Sequence, residues 1–295
     1  MSVFIRRIAI LFLFILLIGI TTSCDNSNEI TERPNVNNEI FISNDWGSEA
    51  IDFEVSDTNN IKIAVIDAEN YYISNNVSCF NIVNSNKLNS FGHGSYMVAL
   101  MCKLLPNSQI LSINIADEKG IITEETLCDG IKFAVANDCN IINISLGTQY
   151  NYPKLKSTIE YAIEEGCVIV AASGNNNKEI LDYPANYERV ISVISRNIDN
   201  IDVSSNNVST SKKSVSAPDS VVFNEDIIVD GSSVASVYVT AIVASIKEQL
   251  PQSSIDEIND LLQSTSVFST NYSYGMINYK RIMDTIHKGS EKNGE

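Results

Sequence analysis

A set of short, nearly unbroken apolar runs at residues 61–66, 110–115, 141–144, 168–171 and 190–194 restricts the fold of this chain more than any other feature. A half-exposed strand alternates apolar and polar residues, whereas runs like these belong to strands buried on both faces. Helical patterns separate them. Residues 97–105 follow a Gly-His-Gly turn, and Thr123 is placed to cap a helix with Leu127, Ile131 and Val135 on one face. Pro153 opens another helix, and Gly166 ends it. Residues 236–250 and 255–262 predict two closing helices, while the Ser- and Asn-rich stretch 197–214 predicts surface loops or edge structure. The expectation is an α/β fold of three layers: a mostly parallel central sheet with helices on both faces. With 295 residues and 44% hydrophobic content, the chain has ample material for one such core.

The first 23 residues read as an export signal. Arg6 and Arg7 precede an apolar run at 8–20, and Thr21-Thr22-Ser23 lead into Cys24. That run is shorter than the roughly 20 residues a membrane-spanning helix needs. Small residues before a cysteine and a polar stretch after it resemble a bacterial lipoprotein signal, which implies lipid on Cys24. Ordinary signal cleavage and a retained anchor are the alternatives. Residues 24–59, rich in Asn, Ser, Asp and Glu, then read as a polar tether. It would carry a folded domain at 60–287 and a polar tail at 288–295, either lipid-anchored on the outer face of the cell membrane or secreted.

A net charge of −16 argues against nucleic acid and against docking on anionic lipid, and leaves cationic peptides as partners. Besides Cys24 there are Cys79, Cys102, Cys128, Cys139 and Cys167, an odd number without C-x-x-C spacing. They predict neither a disulfide framework nor a zinc site, and several sit in apolar surroundings as small core residues.

In a doubly wound sheet, reactive groups collect at the carboxyl ends of strands. Asp67 ends the run Ile-Lys-Ile-Ala-Val-Ile-Asp, where an acid either caps a turn or acts. The chain has two histidines, and His287 lies near the C-terminus, so a general base of near-neutral pKa points to His93, between Gly92 and Gly94. Ser233, in Asp230-Gly231-Ser232-Ser233, stands before a long apolar helix. It is either a helix cap or a nucleophile whose developing anion the helix start favours. Asn175 follows the apolar run at 168–171 and a Ser-Gly pair, where it either makes a turn or supplies an N–H to an oxyanion.

Together these pieces resemble the subtilisin-like serine peptidases, the subtilases. The order Asp, His, Asn, Ser is theirs. Ile63-Ala64-Val65-Ile66-Asp67 resembles the family's Asp strand, His93-Gly94-Ser95 its His-Gly-Thr, and Asn143-Ile144-Ser145-Leu146-Gly147 its substrate-binding strand. Ala171 to Asn175 resembles the oxyanion block, and Gly231-Ser232-Ser233-Val234-Ala235-Ser236 resembles Gly-Thr-Ser-Met-Ala-Ser. Tyr183-Pro184-Ala185, Ser216-Ala217-Pro218 and Tyr274-Gly275-Met276-Ile277-Asn278 match further landmarks. Ala68 and Glu69 depart from the hydroxyl residue and glycine usual after the aspartate, Tyr96 from a common second histidine, and Val237 from a usual proline.

The resemblance implies a subtilisin-like fold and a serine endopeptidase with Asp67, His93 and Ser233 as its triad and Asn175 as an oxyanion donor. Ser145, Leu146 and Gly147, with Ala172 and Gly174, would bind the substrate backbone. It further implies an S1 pocket with Asp182 at its base and a preference for cleavage after Arg or Lys, unless Asp182 is a solvated loop acid. No cofactor is expected, because the calcium loop of secreted relatives is missing from the sequence and its ligand set is not recognisable. A short, anchored chain of this kind resembles the lantibiotic leader peptidases. A non-catalytic peptide-binding protein of subtilase fold and a broad-specificity extracellular protease are the alternatives.

Overall fold

The computed structural model describes residues 40–83, 92–197, 199, 205–209, 211–212, 214–267 and 274–293. Its strands are β1 (Ile42–Asn44), β2 (Lys62–Asp67), β3 (Val77–Asn81), β4 (Gln109–Asn114), β5 (Ile141–Ile144), β6 (Val168–Ala172), β7 (Ile191–Arg196), β8 (Val215–Pro218), β9 (Ser220–Phe223) and β10 (Ile227–Asp230). Seven of them form one sheet in the order β3-β4-β2-β5-β6-β7-β8, and every pair in it is parallel. The remaining three form an antiparallel sheet, β1-β9-β10.

Both faces of the large sheet are covered, as the unbroken apolar runs require. Successive side chains of a strand point to opposite faces. On one face, Ile66 and its partner Ile113 meet Gly130 of the Glu124–Ala136 helix, where an added Cβ would stand 2.8 Å from Ile115. On the other face, Asn143 lies beside Val65 and donates to Ser236 and Thr240 of the Ser232–Gln249 helix. That helix is buried without interruption from Ser232 to Ile246, as an element with apolar residues all round must be. It packs against the His93–Leu104 helix on the same face. From β2 the chain goes to the edge strand β3, returns through β4 beside β2, and then crosses to β5 on the other side of β2, so its direction across the sheet reverses around β2. Ligand crevices form at the carboxyl ends of such strands.

The expected caps are in place. Thr123 accepts from the N–H of Thr126 at 3.1 Å, and Pro153 opens the Pro153–Glu164 helix. The two helices that bear on the chemistry begin earlier than their apolar patterns do, at His93 and Ser232 instead of 97 and 236. Their first turns are made of small and polar residues, which do not register as an apolar face but are held there by contacts with the strand ends.

One boundary needs correction. Residues 24–39 of the expected tether lie outside the described residues, as do the signal at 1–23 and Cys24. Residues 40–59 are not a tether. Within them β1 pairs with β9, the Trp46–Ala50 helix packs on the domain, and Ile51 is fully buried with its carbonyl accepting from Tyr279. A handful of apolar contacts and a capped turn suffice to dock a segment whose composition looks solvated. The Tyr279–Asn293 helix runs into the expected polar tail at 288–295, of which 294–295 lie outside the described residues. Among the described residues, no helix is long and apolar enough to cross a membrane.

The five described cysteines are free thiols. Burial pushes Cys102 and Cys139 up to about 12 and Cys167 to about 11, so these three stay protonated and unreactive near neutral pH.

Candidate active site

Asp67 is the last residue of β2 and lies on the face shared by the two central helices. Its carboxylate is buried at 3% side-chain exposure and accepts from its neighbour Ala68 N–H at 2.7 Å. His93, the first residue of its helix, donates from Nδ1 to Asp67 Oδ2 at 2.9 Å and lies 3.1 Å from Oδ1. The other edge of the imidazole is open, the side chain being 42% exposed. The turn reaches this pose because Gly92 and Gly94 are glycines. A Cβ on Gly94 would stand 2.1 Å from Asn70 Oδ1 and 2.5 Å from the Ala68 carbonyl. Burial lowers the pKa of His93, but the Asp67 hydrogen bond and charge together outweigh it and raise the imidazole above its ordinary 6.5.

Ser233 stands in the first turn of the buried helix and is 7% exposed. The preceding Gly231 has φ +107°, a conformation that favours glycine, and an added Cβ would meet Asn175 Nδ2 at 2.7 Å. Ser233 Oγ donates to the Ser145 carbonyl at 2.8 Å; among the described residues it makes no hydrogen bond to His93. Such bonds often form only when substrate is bound. Beneath the serine lies a satisfied polar network that the sequence reading missed. Asn143 holds Ser236 and Thr240 at 3.0 Å each, Ser145 Oγ donates to Asn143 Oδ1 at 2.9 Å, and Ser236 Oγ donates to the Ser233 carbonyl at 2.7 Å. A polar residue inside the run Ile-Ile-Asn-Ile was the available signal, since a buried amide must find partners.

Asn175 is brought to the same helix start. Its Oδ1 accepts from the Ser232 N–H at 3.1 Å, which leaves Nδ2 as a donor beside Gly231. The Ser233 N–H, in the first helical turn, has no hydrogen-bond partner among the described residues. Two N–H groups are thus available next to the serine.

Ser145, Leu146 and Gly147 continue β5 past its last ladder pair, Ile144 with Ala171. Among the described residues, the N–H and C=O groups of Leu146 and Gly147 have no partners, so this stretch can accept an added strand. Across from it, Ala172 ends β6 and is 4% exposed, and Gly174, at φ +97°, donates its N–H to Ser232 Oγ at 3.3 Å. Asp182 lies between the two stretches. A Cβ on Gly147 would meet Asp182 Cβ at 2.8 Å, and one on Gly174 would meet Asp182 Oδ2 at 2.3 Å. Asp182 is 5% exposed, its Oδ1 is buried without a hydrogen-bond partner among the described residues, and burial raises its carboxyl against the opposing pull of Lys178 and Asn176. Asn207, which the sequence reading also missed, anchors the loop by accepting from the N–H groups of Asn176 and Lys178 at 3.0 and 3.1 Å.

Among the described residues, no group of His, Cys, Asp and Glu is arranged to hold a metal ion.

The profile of the Subtilase family matches residues 19–280. The minor extracellular protease Epr of Bacillus subtilis is 27% identical over 260 residues, which is 79% of this chain and 40% of that protein. Subtilisin DY of Bacillus licheniformis is 29% identical over 212 residues, 63% of this chain and 76% of that one. The chain therefore spans well under half the length of Epr. Among solved structures, the nisin leader peptidase NisP from Lactococcus lactis has a TM-score of 0.66 at 16% identity, over 81% of this chain and 93% of that one. The prenylagaramide maturation protease PagA has a TM-score of 0.64 at 20% identity, over 77% and 94%. At these identities the structural likeness speaks for the fold.

Proposed function

This chain belongs to the subtilase family, and from that premise we propose that it is a serine endopeptidase that processes an exported peptide. The observation that carries the reading is the His93 imidazole held at 2.9 Å by buried Asp67, on the sheet face where the helix bearing Ser233 begins. In the reaction, Ser233 Oγ turns from the Ser145 carbonyl and attacks the scissile carbonyl carbon while His93 Nε2 takes its proton. The Nδ1–H stays with Asp67, whose charge stabilises the imidazolium. The carbonyl oxygen becomes an oxyanion and takes hydrogen bonds from Asn175 Nδ2 and the Ser233 N–H. As the C–N bond breaks, His93 returns the proton to the leaving amine. Water then attacks the acyl-enzyme by the same route and regenerates the serine.

Labelling of the full chain by a fluorophosphonate tests this directly. Wild type should label and Ser233→Ala should not. A wild type that stays unlabelled would favour the non-catalytic peptide-binding reading and overturn this one.

The substrate is a peptide with Arg or Lys before the scissile bond. A buried carboxylate oxygen without a partner is costly, and Asp182 carries one beneath the two glycines that flank the substrate path. A guanidinium or ammonium supplies the missing donor. Removing one member of a buried, hydrogen-bonded charge pair costs about 2–5 kcal/mol. Asp182→Ala should therefore lower kcat/KM for Arg substrates by about 10²-fold or more and spare Leu and Phe substrates. Equal losses in both series, or a wild type that prefers Phe, would remove Asp182 from the role. The names of NisP and PagA, proteases of leader removal and maturation, support a processing enzyme over a broad nutrient protease. Digestion of a peptide library, with one dominant cleavage class expected, separates the two.

The proposed site of action is the outer face of the membrane, with Cys24 lipidated. Cys24→Ser should move the protein from the membrane fraction to the medium, and a wild type found entirely in the medium would exclude the anchor.

A further inference from the structure

Asp45 is a charged residue of the docked N-terminal segment and is not among the reacting groups of the proposed reaction. Its carboxylate is 3% exposed on the side chain and fully engaged. It caps its own short helix, accepting from Ser48 N–H at 3.0 Å and Ser48 Oγ at 2.6 Å. It also accepts from Lys103 Nζ at 2.7 Å and from the Tyr238 hydroxyl. Lys103 lies in the last turn of the helix that His93 begins, and Tyr238 lies in the helix whose first turn holds Ser233. One buried anion thus touches both helices that present the reacting pair.

The surroundings fix this contact in place. Gly47 presses on the Tyr238 ring so closely that a Cβ would stand 2.5 Å from Cζ and from the hydroxyl oxygen. Trp46 Nε1 donates to Ser220 Oγ at 3.1 Å, and the strand before Asp45 pairs with β9. Burial alone would raise the Asp45 carboxyl, but hydrogen bonds from Lys103, Ser48 and Tyr238 overcome it and hold the group below its ordinary value. The carboxylate is therefore ionised wherever a neutral imidazole can act as a base. Tyr238 is buried completely, so its hydroxyl needs this acceptor.

We propose that Asp45 is a positioning residue for the reaction, a bridge that sets the His93 helix against the Ser233 helix. Two packed helices can slide along each other at small cost unless a directional contact pins them. Lys103 and Tyr238 on one carboxylate make such a pin, because a shift of either helix breaks a charge-assisted hydrogen bond. In this structure Ser233 Oγ bonds Ser145 and not His93, so turnover depends on the serine swinging into line with the imidazole. A misplacement of about 1 Å in such a geometry costs up to about 10²-fold in rate. The inference rests on the endopeptidase reading.

The test uses the full chain and compares wild type with Asp45→Asn, Asp45→Glu, Lys103→Met and Tyr238→Phe. Each is measured for kcat and KM on one peptide and for the rate of fluorophosphonate labelling, under conditions where circular dichroism shows the variant folded. Asp45→Asn should lose about 10-fold in kcat with KM little changed, its labelling rate should fall in step, and Asp45→Glu should recover part of both. A lower thermal midpoint with wild-type kcat in the folded variant would show a purely structural role and overturn the proposal. If Asp45→Asn does not fold, Lys103→Met and Tyr238→Phe decide. A kcat loss in each that is not additive in the double variant supports the bridge, and wild-type kcat in both overturns it. A wild type that fails to label overturns the endopeptidase reading and this inference together, whereas a labelled wild type with unaffected variants overturns this inference alone.

Discussion

Replacing Ser233 or His93 with alanine is expected to lower kcat by about 10⁶, the scale on which losing either residue acts in subtilisin, a relative. The size follows from the way the groups act as a unit. Without His93 the Ser233 hydroxyl must lose its proton to solvent, and without Ser233 there is no acyl-enzyme to form. The Ser233→Ala/His93→Ala double variant should consequently be no worse than either single one. The dependence on pH supplies an independent check. The base must be neutral, so kcat/KM rises with pH through the titration of His93, and its raised pKa puts that limb above 6.5. Asp67→Asn removes the hydrogen bond and the charge that raise it, leaving burial, which lowers it, so the limb should move down in pH as the rate falls. Retention of peptidase activity in Ser233→Ala, or an acid limb in Asp67→Asn that stays where it was, would assign the chemistry to other groups.

The sheet could be read from the sequence wherever a strand is buried on both faces. β2, β4, β5, β6 and β7 coincide with nearly unbroken apolar runs. β3 did not stand out, because an edge strand buries little: only Cys79 of Val77–Asn81 is fully buried. β8 did not either, since Val-Ser-Ala-Pro is short and only Val215 and Ala217 of it are apolar core residues. In the antiparallel sheet β9 and β10 form a local hairpin, but β1 joins β9 from far away in the chain, and no local pattern reports that pairing. The docked segment at 40–53 was hidden in the same way. Gly47 and Asp45 are unremarkable in a polar stretch, and what they do depends on Tyr238, almost 200 residues on. The residues proposed to react stood out for a different reason. Strand ends, glycine turns and helix starts are local features, and the family motifs sit on them. Asn143 is marked by the apolar run around it, whereas Ser236, Thr240 and Asn207 are neutral polar residues in a chain full of Asn and Ser, and nothing but burial distinguishes them from solvated ones.

Asn175→Ala is expected to lower kcat by about 10²–10³ with little change in KM, the scale of losing one oxyanion donor in subtilisin. The ground-state carbonyl needs no strong donor, and the negative oxygen of the tetrahedral intermediate does, so the loss falls on the transition state. Folding should survive, because Asn175 is exposed and, among the described residues, anchors only one backbone N–H, that of Ser232. The Ser233 N–H remains in the variant and limits the loss, so activity should stay well above that of Ser233→Ala. Asn175→Asp separates the two parts of the side chain. It keeps an oxygen to accept from Ser232 N–H, removes the donor and adds a negative charge beside the developing oxyanion. It should therefore be at least as slow as the alanine variant while keeping the helix start intact. Steady-state kinetics on one peptide with all three proteins decides the matter. An Asn175→Asp variant that works at near wild-type kcat would mean that the amide N–H does not reach the oxyanion, and that Asn175 serves only to cap the turn before Ser233.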